Sequence, residues 1–136
     1  MIHKPVPTPT PETEEYWEGA VRGELRIQRC LDCARAYFYP RPACPRCGGD
    51  RTEWFTASGR AHLDSYVISA RPGPGFDTPY VIATVVLAEG PRLLTNIIGV
   101  DPVPEQLELY MPLTVTFEER HGTAIPDFEQ ATEPAG

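Results

Sequence analysis

Two cysteine pairs constrain this chain more than any other feature. Cys30-Leu-Asp-Cys33 and Cys44-Pro-Arg-Cys47 repeat a C-x2-C unit across ten residues, and they hold all 4 cysteines of the 136-residue sequence. Each unit can place two sulfurs about 2.3 Å from one ion, and two such units at the ends of a hairpin complete a tetrahedron. Gly48 and Gly49 follow Cys47 and permit the positive-φ backbone by which amide N–H groups approach the sulfurs. Ala34 holds the equivalent place after the first pair, where glycine is easier, so that knuckle is expected to carry strain. Four thiolates leave no position open for water, so a zinc ion held there is structural. Its binding, worth on the order of 10 kcal/mol, offsets the missing hydrophobic core of the surrounding residues. The competing readings are a thioredoxin-like redox pair, which lacks a surrounding βαβ pattern, and an iron site of rubredoxin type.

Proline and glycine, 16 and 11 residues, punctuate the chain heavily and favour short strands over long helices. Residues 1–11 alternate proline with threonine or valine and read as a flexible arm, such as a fusion joint would leave. A helix is expected over 12–23, with Thr10 as cap, Pro11 in the first turn, and Tyr16, Trp17, Ala20 and Val21 on one stripe that something must cover. The zinc ribbon occupies 24–53, with strand-like pieces at 25–29 and 36–39. From 54 to 130 strands are expected at 59–69, 80–88, 92–100, 113–118 and, as a proline-interrupted edge, 124–128. Five strands in so few residues suit a five-stranded OB-type barrel, which makes the fold mainly β: N-terminal helix, ribbon, barrel and a 131–136 tail. No apolar run reaches signal-peptide or membrane-spanning length, so a cytoplasmic location is expected. In that reducing compartment paired cysteines are metal ligands rather than disulfides.

The net charge of -7 hides a division. Eight arginines lie between Arg22 and Arg60 against four acids, a basic island on an acidic protein. Arginine forks suit phosphate or carboxylate recognition and protein interfaces. Catalytic groups are sparse: the cysteines are committed to metal, no nucleophile elbow or phosphate loop occurs, and His3, His62 and His121 fall in an arm, a strand and a turn. His62 with Asp64 forms an i, i+2 pair, more often a surface feature than an acid–base dyad. No catalytic residue is therefore assigned.

These residues, taken in order, resemble a known family. The ribbon with Tyr39-Pro40-Arg41-Pro42 between its cysteine pairs, the loop Arg71-Pro-Gly-Pro-Gly-Phe76 before Pro79-Tyr80-Val81-Ile82-Ala83, and Glu89-Gly90-Pro91-Arg92-Leu93 are similar to the rubredoxin-like zinc-ribbon plus OB-fold proteins of acyl-CoA metabolism. The resemblance implies an accessory subunit, free or fused to an enoyl-CoA hydratase-like domain, that assembles with a thiolase-like enzyme and helps form its acyl-CoA channel. Family members serve thiolase, hydroxymethylglutaryl-CoA synthase-like and steroid side-chain aldolase partners. Of the family's site residues only Cys30, Cys33, Cys44 and Cys47 carry over, as metal ligands. Arg41, Arg60, Arg71 and Phe76 are the candidates for contact with the acyl-CoA ligand, and Trp17, Tyr37, Phe38 and Tyr39 for the partner interface. The rival readings are a single-stranded nucleic-acid binder, which the acidic barrel disfavours, and a structural module without a ligand.

Overall fold

The computed structural model describes residues 10–70, 79–120 and 123–131. The arm before Thr10 with His3, the loop carrying Arg71 and Phe76, the turn at His121 and Gly122, and the tail from 132 lie outside the described residues.

Strand β1 (Arg26–Cys30) is the centre of a three-stranded antiparallel sheet, flanked by β2 (Ala36–Tyr37) and β3 (Thr52–Thr56). β3 was not expected as a strand. Its Thr-Glu-Trp-Phe-Thr run is rich in β-formers and pairs with β1 from Arg26↔Thr56 to Cys30↔Thr52 without a break. It straddles residues 53 and 54, and only Ala57, Ser58 and Gly59 separate it from the next strand.

The remainder closes into a barrel of β4 (Arg60–Ser69), β5 (Tyr80–Leu87), β6 (Arg92–Ile98), β7 (Pro112–Arg120) and β8 (Thr123–Gln130). The order is β4-β5-β6-β8-β7, β7 returns to β4, and only β6 and β8 run parallel. That is the five-stranded OB arrangement. β8 is not the edge strand that Pro126 suggested, because it pairs with β7 along its whole length and with β6 at Phe128 and Glu129. Proline fits since the β6 pairing begins beyond it, and its carbonyl accepts a hydrogen bond of 3.0 Å from Thr95 Oγ1 on β6.

Helix α1 (Glu14–Val21) begins later than expected. Residues 10–13 form a turn closed by the Thr13 N–H on the Thr10 carbonyl, and Pro11 occupies a position that suits such a turn, so Thr13 rather than Thr10 stands at the N-cap. The stripe divides: Tyr16 and Ala20 are buried, Trp17 is half-buried and Val21 is exposed. Gly19 has a packing reason, because a Cβ there would meet the Arg26 side chain. One core cluster joins Tyr16 of α1 and Leu25 and Ile27 of the ribbon to Leu63, Val85, Leu113 and Phe128 of the barrel. Ribbon and barrel therefore share a core. Among the described residues no helix is long and apolar enough to cross a membrane.

Gly59 sits at the ribbon–barrel junction with φ +83°, where an added Cβ would stand 2.6 Å from Val115 Cγ1. Gly59→Ala is expected to destabilise the chain by about 3 kcal/mol, left-handed strain and overpacking together. Adding Val115→Ala should recover the overpacking part only, which chemical denaturation of the two variants will measure.

Candidate metal centre

The fold gathers the four cysteines. Their sulfurs all lie within 4.8 Å of one another. Cys30 and Cys47 sulfurs are 3.5 Å apart and those of Cys33 and Cys44 are 3.7 Å apart. A tetrahedron with metal–sulfur bonds of 2.3 Å has edges of about 3.8 Å, whereas a disulfide needs about 2.05 Å. The donor set thus fits one tetrahedral, thiolate-bound ion.

The two knuckles are built alike. Ala34 N–H donates to the Cys30 carbonyl at 2.8 Å and Gly48 N–H donates to the Cys44 carbonyl at 2.9 Å. Both residues turn left-handed, with φ 63° at Ala34 and 76° at Gly48, so the first knuckle carries the alanine strain its sequence predicts. The N–H groups of Cys47 and Arg46 hold the Cys44 thiol down at about 7. The Gly49 N–H pulls Cys47 down as well, but the neighbouring sulfurs, Cys30 first, and desolvation outweigh it and push that thiol up to about 11.

The arginine island divides into two sets. Arg22 pairs with Glu24, Arg26 with Glu15 at 3.0 Å, Arg29 with Glu53 at 3.2 Å, and Arg51 with Asp32 of the first knuckle. Arg35, Arg41, Arg46 and Arg60 form no ion pair among the described residues. Arg35 and Arg46 stand beside the metal knuckles and share a cleft of about 470 Å³ with Glu89, Gly90, Pro91 and Arg92 of the β5–β6 turn. Sequence reasoning missed this cluster, because Arg35 and Arg92 are far apart along the chain and only the sheet registers join them. Arg41 and Arg60 are exposed and lie outside the cleft.

The aromatic candidates differ in exposure. Tyr37 is buried and its hydroxyl donates to the Arg41 carbonyl at 3.1 Å, which with Gln28 Oε1 accepting the Arg41 N–H pins the loop between the cysteine pairs. Trp17 and Phe38 are half-buried beside Tyr16, and Tyr39 is exposed. His62 packs on Tyr110 with ring centroids 5.9 Å apart, while a bulge between Leu63 and Ser65 turns Asp64 toward Arg92 Nε at 3.4 Å.

Comparison with known proteins gives the chain relatives over most of its length. Residues 17–53 match the family described as "ChsH2, rubredoxin-like zinc ribbon domain", and residues 54–118 match "ChsH2, C-terminal OB-fold domain". A Thermomonospora curvata protein named "Probable enoyl-CoA hydratase alpha subunit" is 35% identical over 117 residues, 85% of this chain and 36% of its own. The Mycobacterium tuberculosis "3-oxo-4,17-pregnadiene-20-carboxyl-CoA hydratase alpha subunit" is 33% identical over 115 residues, 82% of this chain and 35% of its own. The chain spans about a third of the length of these two relatives. A "DUF35 domain-containing scaffold protein" of Pyrococcus furiosus is 37% identical, with 74% of this chain and 76% of that one aligned. Among solved structures, a chain of "Ltp2-ChsH2(DUF35) aldolase" superposes with a TM-score of 0.84 at 33% identity, over 93% of this chain and 100% of that one.

Two measurements check the centre. Ala34→Gly should raise stability by up to about 1 kcal/mol through relief of the left-handed strain, read by denaturation of the metal-loaded protein. The ion displaces thiol protons, so its affinity rises with pH and falls on acidification. Because Cys44 titrates at about 7 and Cys47 at about 11, calorimetry in buffers of different ionisation heat should count more protons released per metal at pH 6 than at pH 8.5, where Cys44 has already lost its own.

Proposed function

The chain belongs to the ChsH2 family of zinc-ribbon and OB-fold proteins, and on that premise we propose that it is a non-catalytic accessory subunit of a thiolase-like enzyme acting on acyl-CoA. The observation that carries the reading is the likeness to a chain that itself comes from an aldolase pairing Ltp2 with ChsH2, matched from end to end. The scaffold names of the archaeal relatives agree with a supporting role. Carbon–carbon cleavage of a steroid or lipid side chain is the reaction we assign to the complex, supported by the aldolase title and by the pregnadiene-carboxyl-CoA name of one relative. An associated or fused enoyl-CoA hydratase-like domain is proposed from the hydratase names, and a cytoplasmic setting from the reduced thiol cluster.

The ion is proposed to be zinc, which suits four thiolates in a closed tetrahedron; when bound it supplies structure, not a reactive water. Its role is to fix the knuckles and so hold Arg35 and Arg46 in place. In this reading the cleft that they form with Arg92 receives the phosphates of the acyl-CoA, with Arg41, Arg60, Arg71 and Phe76 proposed as further contacts. Trp17, Tyr37, Phe38 and Tyr39 are proposed to support the partner interface. The outer barrel face presents Val67, Leu94 and Ile98, all exposed, an apolar surface that suits a protein partner better than single-stranded nucleic acid.

Co-expression with thiolase-like proteins is the test. The chain is expected to co-purify with one of them in fixed stoichiometry and to be required for its activity. Arg35→Ala with Arg46→Ala should raise KM for the CoA thioester by about tenfold or more while the complex stays assembled. Partners that are soluble and fully active alone, or salt-sensitive binding of single-stranded DNA in place of any partner, overturn the reading.

A further inference from the structure

β3 leaves one side of the ribbon sheet open. Its strand neighbour is β1, and among the described residues no other strand or helix lies beside it. The phase of the ladder fixes which groups face out. Leu31 N–H donates to the Arg51 carbonyl at 2.9 Å and Ala57 N–H to the Leu25 carbonyl at 2.8 Å, so the odd-numbered residues of β3 turn their main-chain groups toward β1. Thr52, Trp54 and Thr56 therefore aim their N–H and C=O groups away from the sheet, and among the described residues none of these groups has a main-chain partner. Natural edges are ordinarily blunted by proline, lysine, a bulge or a very short strand. β2, on the other side of the ribbon, has 2 residues and the barrel is closed. β3 has 5 residues, neither proline nor lysine, and pairs with β1 without a bulge.

The side chains of this edge select what lies on it. Thr52-Glu53-Trp54-Phe55-Thr56 reads Thr-x-Trp-x-Thr in both directions. Laid antiparallel on a second copy about a two-fold axis at Trp54, it sets Trp54 against Trp54 and Thr52 against Thr56, and the outward groups of both copies satisfy one another. Aromatic and threonine cross-strand pairs of this kind are favourable. The other face matches in charge. Glu53 of one copy falls opposite Phe55 of the second, and over that ring lies the second copy's own Arg29 guanidinium, 4.0 Å from the centroid. A slip that centres the pairing on residue 53 would set Glu53 against Glu53, so like-charge repulsion holds the register. We propose that β3 is a self-pairing edge, through which two copies of the chain join their ribbons into one continuous sheet in the order β2-β1-β3-β3-β1-β2.

Sedimentation equilibrium of the metal-loaded chain is the first test. So short an edge makes a small interface, and the chain should pass reversibly from monomer to dimer as its concentration rises. Amide hydrogen exchange identifies the surface. Once the dimer dominates, the N–H groups of Thr52, Trp54 and Thr56 should exchange about tenfold more slowly, while those of Glu53 and Phe55, already bonded to β1, should not change. Thr56→Pro removes one outward N–H from each copy and spares the bonds to β1, so it should weaken the dimer by about tenfold or more. If that variant misfolds, the exchange pattern of the unmutated chain decides. A chain that stays monomeric at every concentration overturns the proposal, as does a dimer that leaves the Thr52, Trp54 and Thr56 amides unprotected or survives Thr56→Pro unweakened. Protection of those amides only in the co-purified complex gives the edge to the partner enzyme and equally overturns self-pairing. Self-association of the free chain is read without any partner, so its outcome is separate from that of the accessory-subunit reading.

Discussion

Four thiolates cannot share a space a few ångströms across without a cation to join them, and the ribbon has little else at its tip. The core of that tip is a satellite cluster of Cys30, Tyr37 and Cys44 with Cys33 against it, so the metal ligands are most of their own hydrophobic core. Metal binding of this kind contributes on the order of 10 kcal/mol, far above what so few buried side chains supply. Whatever stands next to the cysteines inherits their rigidity. Arg35 and Arg46 are such residues, and the cleft they form depends on the clamp even though neither touches the ion.

The clamp would be an isolated ornament if the ribbon hung free of the barrel, and it does not. Leu25 and Ile27 join the barrel core, and Tyr16 closes over it from α1. Arg26 ties helix to ribbon, donating from Nε to Glu15 and from Nη1 to Thr56. Three elements therefore meet along one seam, and clefts open on it: one is lined by the guanidinium groups of Arg35, Arg46 and Arg92, another by the rings of Tyr16, Trp17, Phe38 and Tyr39. A subunit that lends its surface to another protein gains from having its functional groups where rigid parts meet, because their separation is then fixed before binding.

Much of this was legible in the sequence, because cysteine spacing and strand alternation are local signals. The C-x2-C pairs announced the metal cluster, Ala34 announced the strained knuckle, and the β-branched run of β5 and the alternation in β7 announced barrel strands. Less local features were hidden. β3 escaped because Trp54 and Phe55 are both half-buried, which blurs the two-residue period. The helix start moved because a turn at Pro11 competes with the first helical turn. Pairing along β8 was masked by Pro126. The division of the arginines could not be read at all, since Arg29 and Arg51 find Glu53 and Asp32 only across the folded sheet.

Amide hydrogen exchange with and without the ion tests the dependence of the seam on the clamp most directly. On metal removal the account predicts that exchange in residues 26–56 and in α1 accelerates toward unfolded rates while β5 keeps its protection. Unchanged protection across the ribbon and helix after complete metal removal contradicts it.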